Sequence, residues 1–301
     1  MIEFFNAQAQ TFLNGMARIQ QRQMTAQKQL STGLRINSVA DDPAHIGDLM
    51  SVRAQLDQTT QINSNLGLVK TETDTGESAL QNAVGLLDQV TTLGAQGQPD
   101  TQSAATRSQL ADQVGSVLQE LVGVANTSVE GRYIFSGDSD QAAPYSVDLS
   151  QTYPVSTYGG SGATREVRAP DGSLFPVSKT AQEIFDSDNP DTNVFQQVTN
   201  LRNALQNNDQ AGIESALGSL TATGTYLNTQ LAFYGNVQDE VQRATDFGSN
   251  LTTQLQTQLS GIQDADMTQA ITDLTQASLQ QQAALGAEGQ MPRTSLFNYL
   301  G

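Results

Sequence analysis

The chain of 301 residues has no Cys, no Trp and a single His. Without cysteine there are no disulfides, no thiolate metal sites and no Cys nucleophile. One histidine excludes a multi-His metal centre. Charged residues make up only 15%, against about 25% in ordinary globular chains. Basic residues are the scarcer kind: Lys and Arg number 14 and Asp and Glu 31, a net charge of −17. So acidic a chain is a poor general ligand for nucleic acid or anionic lipid. No apolar run approaches the ~20 residues of a membrane span. The start, with Glu3 and polar Asn and Gln, has neither the basic nor the apolar region of a cleaved signal peptide.

Neutral polar residues fill the gap, among them 38 Gln. Such a surface repels its own copies weakly, which suits a protein that packs against itself. Hydrophobic residues at 37% allow a core, and the length allows about two domains. Residues 1–60 carry five basic and five acidic side chains, and residues 236–301 two basic and seven acidic. An Arg-richer start beside an acidic end suits two helices lying side by side, although each is equally read as a solvated face.

Periodicity places long helices at both ends. Phe5, Ala9, Phe12, Met16, Ile19, Gln23, Ala26 and Leu30 recur in steps of three and four, a heptad seam with one polar break. Gly33 suits the position after its last turn. An extended link over 34–39 leads to Asp42-Pro43, read as an N-cap and first helical residue. A second helix runs from Leu49 to about Leu93, roughly 75 Å if unbroken and counted from Pro43, ended by Gly94, Gly97 and Pro99. A third spans Leu110 to Val124, antiparallel to the second after a short turn.

Residues 131–190 differ, with five of the eight Pro and four of the seven Tyr. Ile134-Phe135, Tyr145–Leu149, Arg165–Arg168 and Leu174–Val177 read as short strands, the last two joined by a Pro170-Asp171-Gly172 turn. Helical pattern resumes at Asp191 and runs through Ile213, Tyr234, Leu255 and Ile262 to Met267, Ile271, Leu274, Ser278, Gln281 and Leu285. Gly286, Gly289 and Pro292 precede an apolar tail of Leu296, Phe297, Tyr299 and Leu300.

The fold class expected is mainly α: a long antiparallel helical bundle or coiled coil formed by the N- and C-terminal halves, with a small β-rich central insert. Its segments are 1–40, 41–130, 131–190, 191–255 and 256–301, the first and last being paired coiled-coil segments. Gln23, Ser278 and Gln281 thin the terminal seams. A buried Leu contributes only ~1.5–3 kcal/mol and isolated helices are marginal in water, so these segments are expected to be loose in the free monomer and to order on assembly.

No catalytic constellation appears. His45, in phase with Leu49 and Val52, reads as a partly packed structural residue. Gly159-Gly160-Ser161-Gly162 lacks the following apolar helix of a phosphate cradle. Asp138 and Asp140, and Asp186, Asp188 and Asp191, lack the glycine and closing Glu of a calcium loop. No metal or cofactor is called for.

The stretch LSTGLRINSVADDPA at 30–44 resembles the N-terminal region of flagellins and their relatives, and DADMTQAITDLTQASLQQQAAL at 264–285 resembles their C-terminal helix. Within that superfamily, Gly131, Arg132, Tyr133, Phe135 and Gly137 of GRYIFSG, the YGGSG at 158–162 followed by Arg165, and the ending SLFNYL resemble the hook-associated protein 3 branch. The start, Met1-Ile2-Glu3-Phe4-Phe5, departs from the Arg-Ile-Ser-Thr opening usual there.

The resemblance implies a secreted, non-enzymatic structural subunit of the bacterial flagellum. It would be exported through the flagellar type III channel and set in a ring of its own copies between hook-associated protein 1 and flagellin. An export chaperone would hold its C-terminal segment, and neither nucleic acid nor membrane would be a partner. It further implies an inner assembly interface of Phe5, Phe12, Met16, Ile19 and Leu30 against Ile262, Met267, Ile271, Leu274 and Leu285, closed by Leu296, Phe297, Tyr299 and Leu300. The link from Leu34 to Pro43 would be a spoke between shells, with Arg35 near Asp41 or Asp42. Two other readings are a short flagellin that builds the filament and a surface adhesin that uses the insert.

Overall fold

The computed structural model describes residues 2–289, with side chains from residue 9 onward. It is mainly α. Seven α-helices are described: α1 (Ile2–Thr32), α2 (Ile46–Gly97), α3 (Ala104–Ala125), α4 (Ala181–Phe185), α5 (Val194–Gln206), α6 (Gln210–Gln263) and α7 (Met267–Gly289). Four short strands, β1 (Ser128–Val129), β2 (Arg132–Tyr133), β3 (Glu166–Arg168) and β4 (Leu174–Pro176), form two antiparallel pairs. The described residues fall into two compact units: those up to Gln58 with those from Thr252 onward, and 59–251. No described helix is long and apolar enough to cross a membrane.

In the 59–251 unit, α2 and α6 run antiparallel. Asn63 meets Gly248, Gly76 meets Tyr234, Leu87 meets Gly224 and Gly94 meets Leu217, so one number rises as the other falls. Glycine at 94 is a packing residue, not the helix terminator its identity implies. A Cβ there would lie 2.8 Å from Leu217 Cδ2 and 2.9 Å from Leu201 Cδ2. The helix runs on to Gly97, where buried Arg107 takes over: its guanidinium donates to the carbonyls of Gly97 and Pro99 and to Asn208 Oδ1.

α3 packs on α5, and the main core joins α2, α3, α5 and α6 through Leu80, Val90, Leu118, Leu121, Leu201 and Ile213. Its far end is aromatic. Phe135 is fully buried, edge-on to Phe185 and Tyr234 at ring distances of 6.3 and 6.1 Å. Tyr145 and Phe195 continue the stack.

The β content is smaller than the sequence promises. The hairpin at 166–176 forms with its Pro170-Asp171-Gly172 turn, Val167 opposite Phe175. Tyr145–Leu149 is not a strand, since only Val147 bridges to Val155. Ile134 and Phe135 follow a strand instead of forming one; both are buried in the aromatic cluster. Between β1 and β2, Glu130 and Gly131 both take positive φ, 51° and 80°. Two positive-φ residues between paired strands make the mirror-image turn that matches strand twist. The helix α4 was not foreseen, although Thr180 and Glu183 form its capping box.

Candidate functional site

The terminal helices α1 and α7 pack together. They are antiparallel: Leu34 bridges Asp264, and Gln23 Nε2 donates to Ser278 Oγ at 3.3 Å. On α1 the inward residues from Phe12 onward are those of the heptad pattern, whereas Ala9 is exposed. Ala26 is buried, and Phe12, Met16, Ile19, Gln23 and Leu30 are half-buried. On α7 the inward residues match the sequence pattern only in part: Leu274, Ser278 and Gln281 belong to it, and the buried alanines do not. Ala270 and Ala277 are buried, and Leu274, Gln281 and Ala284 half-buried. Alanines spaced by seven let two backbones approach closely, so the seam runs along them.

Met267, Ile271 and Leu285 are the exposed members of the expected set. They lie outside the seam, 44%, 56% and 53% exposed. Ile262, near the end of α6, is half-buried, and its carbonyl accepts Arg35 Nη2 at 2.7 Å. Of the remaining expected interface residues, Phe5 has its backbone in α1 but its side chain lies outside the described residues, as do Leu296, Phe297, Tyr299 and Leu300. Exposed Leu13 and Met24 on α1 and Leu279 on α7 add apolar surface that sequence reasoning did not select. Their signal was weak, because single large apolar residues off a seam are ordinary on surfaces.

This unit has little core of its own. Its fully buried apolar residues among those described are Ala26, Ile36, Leu49, Leu255, Ala270 and Ala277. Three of the six are alanines.

The connector between α1 and α2 is held by backbone and charge. Gly33 takes φ +73° and its carbonyl accepts Ala265 N–H at 2.8 Å. Arg35 and Ile36 N–H both donate to Gln263 O. Arg35 pairs with Asp42 at 2.7 Å and Lys28 with Asp41 at 3.2 Å. Helix α2 starts at Ile46, not at Pro43, because Pro43 to His45 form a turn in which Asp42 receives the His45 N–H. His45 is exposed, not partly packed; its Nδ1 lies 2.8 Å from Asp42 Oδ2.

These contacts hold both carboxyls low. Backbone N–H donation from Asn37, then Lys28, takes Asp41 from 3.8 to about 2. The Arg35 guanidinium, opposed by partial burial and aided by His45, takes Asp42 from 3.8 to about 2. A carboxyl lowered in the folded state stabilises above its unfolded value and loses that contribution as pH falls through its folded value. The connector is thus expected to keep its structure above about pH 4 and to open as pH falls toward 2. Amide exchange of residues 35–42 against pH checks this, and Arg35→Ala is expected to return Asp42 toward 3.8.

The GRYIFSG residues serve the fold. Gly131 makes the tight turn, and Arg132 donates to Glu72 Oε1 at 2.6 Å and faces Asp140 at 3.4 Å. Arg165 takes the other Glu72 oxygen at 2.9 Å. Tyr133 pairs with Ser128 across the β1–β2 ladder. Gly137 has φ +61° and a Cβ there would collide with Ser161 O. The YGGSG stretch closes the same knot: Tyr158 hydroxyl donates to the carbonyls of Phe135 and Ser161, and burial pushes its pKa up to about 12. The two motifs are adjacent in space and lock one another. Among the described residues, no group of three or more His, Asp or Glu is placed to hold a metal ion.

A model of the bacterial flagellin N-terminal helical region matches residues 5–140, and one of the bacterial flagellin C-terminal helical region matches residues 211–300. Flagellar hook-associated protein 3 of Escherichia coli is 26% identical over 314 aligned residues, covering 95% of this chain and 95% of its own. A flagellin of Bacillus subtilis is 24% identical over 304, covering 94% and 96%. A solved chain from Vibrio parahaemolyticus, described as a flagellar hook-associated protein, has the same fold. It superposes with a TM-score of 0.65 at 20% identity and covers 74% of this chain and 100% of its own.

Proposed function

Because the chain belongs to the flagellin superfamily, we propose that it is a structural subunit of the bacterial flagellum, set between hook-associated protein 1 and the flagellin filament. It is non-enzymatic in this reading, exported through the flagellar type III channel and assembled outside the cell in a ring of its own copies. The observation that carries the proposal is the α1–α7 unit, which pairs along a thin alanine-rich seam and leaves larger apolar side chains exposed.

Fixing a residue's backbone costs ~1–2 kcal/mol, and the 31 residues of α1 and 23 of α7 bury few side chains in return. Neighbouring subunits supply what is missing. Met267, Ile271 and Leu285 then keep an interface role, toward other subunits rather than toward α1. Until assembly, a chaperone on the C-terminal segment covers this surface.

Full-length relatedness to hook-associated protein 3 supports the junction. A second reading, a short flagellin, is supported by the comparably complete match to the Bacillus subtilis protein. Deleting the gene separates them. A junction subunit, when lost, leaves hooks that release flagellin without retaining filaments, and in the wild type it is a trace band of sheared flagella. A filament subunit dominates that preparation. Dominance in the sheared material overturns the junction assignment.

A further inference from the structure

A cleft of about 310 Å³ lies in the 59–251 unit, between the segment 153–157 and the first two turns of α5. One wall carries Tyr153, with Val155 behind it; the other carries Gln196, Thr199 and Asn200; Asp186 lies at its edge. Two features of this lining have no role in the fold as described.

The first is Tyr153, 77% exposed. Phe135, Tyr145, Tyr158 and Phe185 of the insert each meet another ring, while Tyr153 lines the cleft with no aromatic neighbour among the described residues. The second is Thr199. Helical threonines on α6, such as Thr221, Thr225 and Thr229, donate to the carbonyl four residues back. Thr199 is only 4% exposed, lines the cleft, and its hydroxyl has no hydrogen-bond partner among the described residues. It is not among the buried side-chain oxygens that lack a partner, so it opens on the cleft, where it is free to bond a ligand hydroxyl. Beside it, Asn200 gives its amide N–H to Gln197 Oε1 at a long 3.5 Å, which leaves its carbonyl oxygen toward solvent.

The lining chooses a chemical class. It has no Lys or Arg and includes the Asp186 carboxylate, so an anion is disfavoured. A wholly apolar ligand leaves Thr199 unpaired. The complementary ligand has one flat apolar face for the tyrosine and a rim of neutral hydroxyls for Thr199, Gln196 and Asn200. That is a pyranose ring, and the volume lies at the small end of ligand sites, ~300–1,000 Å³. We propose that this cleft binds the terminal ring of a neutral saccharide, stacked on Tyr153 and hydrogen-bonded to Thr199. The proposal is independent of the position of the subunit in the flagellum.

The test uses the full chain with the methyl glycosides of glucose, galactose, mannose and N-acetylglucosamine. Saturation-transfer NMR is expected to show binding of at least one, with amide shifts confined to 153–157 and 194–200. Tyr153→Ala is expected to weaken it about tenfold and Tyr153→Phe to retain most of it. Thr199→Val, close in shape, is expected to weaken it severalfold with an unchanged melting curve. N-acetylneuraminic acid is expected to bind less than the neutral sugars. Retention on an immobilised asialo-mucin, lost after glycosidase treatment, assigns the sugar to a macromolecular glycan; binding of the glycosides without retention assigns it to free saccharide. Absence of transfer to all four glycosides overturns the proposal, as does undiminished binding by Tyr153→Ala.

Discussion

A chain lacking residues 264–301 is expected to fold through its 59–251 unit and to support no filaments. The deletion removes α7 and with it Ala270 and Ala277, the buried side of the terminal seam. Phe12, Ile19 and Leu30 on α1 then lose the partner that half-covers them, and the exposed Met267, Ile271 and Leu285 are gone as well. Nothing in the main aromatic and aliphatic core comes from beyond Tyr234, and the smaller cluster around Leu66 and Phe175 ends at Ala244. Distant sites without shared partners are additive to within ~0.5 kcal/mol. The stability of the 59–251 unit, read by urea unfolding of its tyrosine signal, should therefore change by no more than that. Filament number in a strain carrying only the truncated gene should fall to near zero. Wild-type filaments on those cells would remove the assembly mechanism, and loss of the urea transition would remove the independence of the two units.

Much of this was legible from spacing alone, and the failures share a cause. The α1 seam could be read because its inward positions carry large apolar residues, Phe12, Met16, Ile19 and Leu30, at steps of three and four. The α7 seam is legible only in part: Leu274, Ser278 and Gln281 are inward as expected, but the inward Ala270, Ala277 and Ala284 are not picked out. Alanine weighs little in any hydropathy pattern, so the larger Met267, Ile271 and Leu285 drew the stripe to a neighbouring face. Glycine misled in the same way at position 94, where the absence of a side chain reflects a helix-to-helix contact and not a chain break. In the insert, the 166–176 hairpin was visible through its turn residues. Tyr145–Leu149 was not, because its ordering comes from Tyr145 packing on Phe195 and Tyr158 and from Asn126 bonding the Tyr145 backbone, none of which has a local signature. The lone tyrosine at 153 is beyond sequence reasoning, since exposure is decided by what fails to cover it.

Phe135→Ala is expected to destabilise the 59–251 unit by about 3–5 kcal/mol, a large share of the ~5–15 kcal/mol that folded domains have. Phe135 is fully buried and touches three parts of the chain at once. Its ring meets Phe185 of α4 at an interplanar angle of 79° and Tyr234 of α6 at 89°. Its carbonyl accepts the Ala181 N–H at 2.7 Å and the Tyr158 hydroxyl at 3.1 Å. Alanine keeps those backbone bonds and removes the ring, so the loss is that of packing. The cavity left is lined by two aromatic rings, each fixed by other neighbours, and collapses poorly. Tyr158→Phe provides the contrast: it keeps the ring and deletes one hydroxyl, for an expected cost of ~0.5–1.5 kcal/mol. Urea denaturation of both variants, with the slope of the transition unchanged, gives the comparison. If Phe135→Ala costs no more than Tyr158→Phe, the insert is held by its hydrogen-bonded knot rather than by its aromatic anchor, and the GRYIFSG motif owes its form to the turn and the arginine clamp on Glu72 alone.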